Sequence, residues 1–159
     1  MRAYLQQTED FMVDLPISGQ GVHTMAGLIL KYGVMMSGSP RPADVPKEEK
    51  QMCFGNALHL ALKRNWLYVE GYAESVMPLQ HAWCIDDEGR VVDPTWEDAE
   101  DRAYLGIPMD PQFVVRLVCE QNYYGVLGLD YHMVIDHGFV TDVCERTGLT
   151  IAIDLGEAA

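Results

Sequence analysis

The clearest periodicity in the chain begins at Phe54. Phe54, Ala57, Leu58, Ala61 and Leu62 fall at i, i+3, i+4, i+7 and i+8, the apolar stripe of an amphipathic helix. Lys63 and Arg64 suit the negative end of its dipole, and Asn65 suits a left-handed stop. Residues 66–73 then change character: aromatic and β-branched side chains predict a strand. A loop around Pro78 leads to a second strand over 81–85. Asp86-Asp87-Glu88-Gly89 reads as a turn, and a third strand over 90–93 is stopped by Pro94. Asp110 as N-cap and Pro111 at the first helical position open another helix, with the stripe Phe113, Val114, Leu117, Val118.

The flanks are less regular. Residues 21–36 carry Val22, Met25, Leu28, Ile29, Tyr32, Met35 and Met36 at roughly helical spacing, weakened by Gly27 and Gly33. Residues 37–46, with three prolines, two serines and a glycine, predict either a static connector or a movable cover. A last strand is expected over 150–153. The order helix, strand, hairpin, helix predicts an α+β fold with an antiparallel sheet. Residues 1–45 read as an accessory segment and 46–159 as the core with a C-terminal extension, in a single compact domain overall.

Composition narrows the function classes. The chain has 159 residues, 48% of them hydrophobic, enough for a packed core. Eleven Lys+Arg stand against 24 Asp+Glu, a formal net charge of −13. Such a surface repels phosphates, which argues against nucleic-acid and anionic-membrane partners; the acidic runs read as solvated surface, their functional alternative being attraction of a cationic peptide or amine. No apolar run approaches the ~20 residues of a bilayer span, and the N-terminus shows no signal peptide, so a cytoplasmic location is expected. The cysteines, Cys53, Cys84, Cys119 and Cys144, form no C-x-x-C pair and are expected to be reduced. His132 and His137, with Asp130 and Asp136, are spaced i, i+5, which suits no helical metal motif. No cofactor or metal is expected.

The candidate chemistry lies in Cys53, His81 and Asp93. A cysteine at the start of the best helix gains from the positive end of its dipole, which favours thiolate. An alternative helix start at Pro46 would bury Cys53 two turns inside; Gly55 argues for an interruption instead. If Gly89 takes the left-handed position of a three-residue loop, Asp86 pairs with Arg90 and Trp83 lies opposite Asp93. His81 is then diagonal to Asp93 on the same face; a one-residue slip would separate them. Cys53 would attack a carbonyl or amide carbon, His81 would move the proton, and Asp93 would fix the ring's tautomer. The Cys53 N–H is a natural oxyanion donor and Gln51 a candidate for the second. The plain alternative for Asp93 is a turn residue before Pro94. Trp83 and Trp96 are core aromatics or cleft walls, and Cys84 should face away from His81.

Cys53-Phe54-Gly55-Asn56-Ala57, His81-Ala82-Trp83 and Val92-Asp93-Pro94-Thr95-Trp96, in this order and spacing, resemble the core of the transglutaminase-like superfamily of papain-like cysteine enzymes. The resemblance implies a Cys on a helix with His and Asp on neighbouring strands. It implies a hydrolase or acyltransferase working on an amide, isopeptide or thioester of a peptide or protein, with peptidase or amidase activity preferred. It also leaves room for an inactive relative that only binds.

Overall fold

The structure is a computed structural model and describes residues 1–13 and 24–129. The strand expected over 150–153, the His132 and His137 pair, and Cys144 lie outside the described residues.

The elements run α1 (Arg2–Val13), α2 (Met25–Tyr32), β1 (Val34–Ser37), α3 (Cys53–Arg64), β2 (Leu67–Ala73), β3 (Leu79–Ile85), β4 (Val91–Val92), β5 (Ala103–Met109), α4 (Pro111–Gln121) and α5 (Val126–Leu129). The strands form one antiparallel sheet in the order β1-β5-β2-β3-β4. The architecture is α+β.

Alternation along the strands divides the sheet into two faces. Tyr68, Tyr72, Ala82, Cys84, Leu105, Ile107 and Met109 pack with the apolar stripes of α2, α3 and α4. On the opposite face Leu67, Val69, Trp83, Ile85, Val91 and Tyr104 form a second cluster, covered by Met36 and Trp96. Asn65 ends α3 in the left-handed conformation (φ 56°), and Asp110 caps α4 by accepting from the Gln112 N–H at 2.7 Å.

Two elements differ from expectation. The apolar stretch over 21–36 is not continuously helical. Its helix stops at Tyr32, and Val34–Ser37 becomes an edge strand paired with β5. The first 45 residues therefore supply a strand of the sheet and, through Leu5, Leu28, Ile29 and Val45, part of the main core. The second difference is β5, a strand that the sequence pattern did not predict and that contains Gly106 and Pro108. Both have tertiary reasons. A Cβ on Gly106 would sit 2.6 Å from Trp83 Cη2 and 2.5 Å from the Glu70 carbonyl oxygen, so glycine makes room for the indole. Pro108 pairs with Val69 on β2, whereas β1 begins opposite Gly106, so its missing N–H falls where the sheet has one neighbour.

Residues 37–46 are tied down. Gly38 donates to Arg102 O (2.8 Å), Ser39 to Val91 O, Arg41 to Trp96 O (3.2 Å), and the Val45 side chain is buried. These ties, with the cleft beside Cys53 lined by other residues, support the connector reading. A buried carboxylate, Glu70, fastens α5 to β2. It accepts from Tyr68 Oη (2.6 Å) and from the N–H groups of Val126 (2.9 Å) and Leu127 (3.0 Å). Burial raises its pKa above the usual carboxylate range despite these donors.

Candidate active site

The β3–β4 hairpin sets the register. Gly89 is left-handed (φ 78°), the Asp86 N–H donates to Arg90 O at 3.0 Å, and Cys84 and Ile85 pair with Val92 and Val91. Asp86 stabilises the loop by accepting from the Glu88 and Arg90 N–H groups (3.0 and 2.9 Å). His81 and Asp93 consequently share a face, and His81 Nε2 lies 2.7 Å from Asp93 Oδ2.

Asp93, fully buried, accepts at both oxygens. Oδ1 takes the N–H groups of Thr95 (2.8 Å) and Trp96 (3.1 Å), while Oδ2 takes His81 and Tyr104 Oη (3.0 Å). The turn reading and the imidazole-partner reading therefore hold together, one at each oxygen. The backbone donors lock the carboxylate in place, and the other oxygen is aimed at the ring.

His81 is buried and stacks on Trp96, with ring centroids 4.1 Å apart and planes 21° apart. The Arg102 guanidinium lies 4.2 Å from the centroid of the same indole, so Trp96 contacts both an imidazole and a guanidinium. Burial alone would lower the pKa of His81. The hydrogen bond and charge of Asp93, with Cys53 as a second hydrogen-bonding partner, outweigh it and raise the pKa from 6.5 to about 9. With Nε2 engaged by Asp93, Nδ1 is the nitrogen left for the thiol.

Cys53 is the first residue of α3, and the alternative start at Pro46 is excluded. Gln51 adopts φ 68°, a left-handed turn that breaks any helix before it. Met52, the N-cap, supplies no side-chain hydrogen bond, so the first-turn N–H groups have no side-chain cap competing for them. Three ties dock this turn on the loop after Asp93. Asn56 Nδ2 donates to Thr95 Oγ1 (3.1 Å) and Glu49 O (2.7 Å), the Glu48 N–H donates to Pro94 O (2.8 Å), and Lys47 pairs with Glu97. The sequence had marked Asn56 only as part of a motif; in the structure it ties the first turn of α3 to Thr95.

Cys53 and His81 open onto a cleft of about 640 Å³, walled also by Gln51, Trp96, Lys50 and Arg102. Cys53 itself is 9% exposed. Trp96 is thus a cleft wall, whereas Trp83 is fully buried core, its Nε1 without a hydrogen-bond partner among the described residues. Cys84 faces the helices as expected. It donates to Ala57 O at 3.2 Å, and burial pushes its pKa far up, which makes it a poor nucleophile. Cys119 is exposed on α4. Tyr104 was missed with its strand; no local pattern marks it.

Comparison of the chain with known protein families, with curated proteins and with solved structures finds no match. Among the described residues no helix is long and apolar enough to cross a membrane.

Proposed function

We propose that this chain is a cysteine-dependent hydrolase or acyltransferase of the transglutaminase-like, papain-like type, acting on an amide, isopeptide or thioester through an acyl-Cys53 intermediate. The observation that carries this reading is the 2.7 Å bond between His81 Nε2 and Asp93 Oδ2, with the Cys53 thiol at a helix start against the same ring and a cleft beside both. His81 accepts the thiol proton. Sγ then bonds to the acyl carbon, the carbonyl electrons move to oxygen, and the oxyanion lies near the Cys53 N–H and the Gln51 side chain. As the tetrahedral intermediate collapses, the C–N or C–S bond breaks and His81 protonates the leaving group. Water or an amine attacks the thioester in the second half-reaction. Hydrolysis of a peptide or amide is the preferred outcome.

The low exposure of Cys53 is the observation that favours the alternative, a binding protein that does not turn over. Iodoacetamide separates the two. A nucleophile paired with His81 is alkylated faster at neutral pH than exposed Cys119, and His81→Ala slows it. Alkylation of Cys53 no faster than Cys119, or unaffected by His81→Ala, leaves the binding reading.

A further inference from the structure

The charge of the whole chain and the charge of the cleft point in opposite directions. At a net −13, the protein as a body attracts cations. The cleft wall holds three basic residues, Lys47, Lys50 and Arg102, against two acidic ones, Glu97 and Asp98. Both acids are committed. Glu97 is paired with Lys47, and Asp98 takes a bidentate pair from Arg102 (3.0 and 2.5 Å), which also donates to Glu74 O. Lys50 feels Glu97 at longer range but forms no ion pair within 4.0 Å among the described residues. It is exposed, three positions before the thiol, and its sequence neighbours Glu48 and Glu49 lie outside the cleft wall. With the pairs cancelled and a thiolate–imidazolium couple neutral, Lys50 is, among the described residues, the one uncompensated charge on the cleft wall; the Asp93 carboxylate is fully buried behind His81 and is not part of that wall.

We propose that Lys50 is a specificity-determining residue and that the substrate is an acidic peptide, with a carboxylate side chain near the reacting acyl group. A cationic substrate would be drawn to the body of the protein and turned away at the nucleophile. This inference rests on the acyl-Cys53 reading and names the substrate class of that site.

Two small alkylating agents of similar reach, iodoacetate and iodoacetamide, differ in one negative charge, and the ratio of their rates at Cys53 reads the local field. A change in thiolate content affects both rates alike and cancels in the ratio. The iodoacetate-to-iodoacetamide ratio at Cys53 is expected to exceed that at Cys119 and to fall with added salt. Lys50→Gln should lower the Cys53 ratio about threefold and Lys50→Glu about tenfold, as expected for a charge acting through solvent-exposed protein. Ratios unchanged in both variants, with Cys53 still alkylated faster than Cys119, overturn the role of Lys50 and leave the nucleophile standing. Slow alkylation of Cys53 by both reagents overturns the nucleophile and this inference with it.

Discussion

Asp93→Asn tests the site most directly, because the outcome follows from which atoms already donate to the carboxylate. Its two oxygens accept four hydrogen bonds, two from backbone N–H groups and two from His81 and Tyr104. An amide can keep the backbone pair only by directing its oxygen at Thr95 and Trp96, which turns its NH₂ toward His81. Nε2 must then accept, the ring proton moves to Nδ1, and the nitrogen facing Cys53 no longer takes a proton. The energy at stake is bounded by His81 itself. Raising its pKa from 6.5 to about 9 corresponds to about 3 kcal/mol of net preference for the imidazolium, what remains after burial opposes Asp93 and Cys53. Losing the Asp93 carboxylate should remove a large part of that preference, on the order of 2 kcal/mol or about thirtyfold in iodoacetamide alkylation of Cys53 at neutral pH. Acylation by p-nitrophenyl acetate followed by turnover should fall further, since His81 must also return the proton. Tyr104 can rotate its hydroxyl to accept from the amide, so the fold should survive with a loss of about 1–2 kcal/mol in urea unfolding. A folded Asp93→Asn protein alkylated within about twofold of the parent would refute the argument and leave Asp93 as a turn residue.

Two further outcomes are expected. His81, at about 9 folded against 6.5 unfolded, contributes stability that is complete below pH 6.5, declines as pH rises, and is gone above about 9. Across that window the parent should lose up to about 3 kcal/mol more than His81→Gln in urea unfolding, and parallel curves for the two proteins would contradict the pair. Asn56→Ala removes the bonds to Thr95 and Glu49 and should cost about 1–2 kcal/mol. It should also slow Cys53 alkylation about tenfold with Cys119 unchanged, and lost stability without lost reactivity would reduce Asn56 to a structural tie.

The parts of the fold that were legible in the sequence are those whose cause is local. Asp86 to Gly89 fixes a loop of known register, and from that register the pairing of His81 with Asp93 follows. Asn65 and the Asp110-Pro111 pair likewise mark helix ends by their own chemistry. What was hidden depends on partners distant in the chain. Val34–Ser37 carries two apolar side chains that continue a helical spacing, and only pairing with β5 makes them a strand. Gly106 is a strand breaker until Trp83 lies across it. The start of α3 was undecided between Pro46 and Cys53 because the deciding feature is a left-handed Gln51, a residue type with no preference for that conformation. Asn56 and Tyr104 escaped for the same reason: each acts on the Asp93 loop from another element.

The position of Asp93 explains why so short a hairpin can carry the site. A carboxylate held by one partner swings about its side-chain torsions, and its direction is then soft. Here two backbone N–H groups of the following turn hold Oδ1, and Pro94 stiffens the chain between them. The remaining oxygen points where the backbone sends it, toward His81, and the Trp96 indole fixes the plane of that ring. Trp96 belongs to the same turn, so the group that aims the imidazole and the group that stacks on it move as one unit. The Asn56 bond to Thr95 then joins the nucleophile helix to that unit rather than to the sheet. The relative placement of thiol, imidazole and carboxylate thus depends on four consecutive residues, Asp93 to Trp96. A perturbation of the sheet core reaches the site chiefly through the register of β3 against β4.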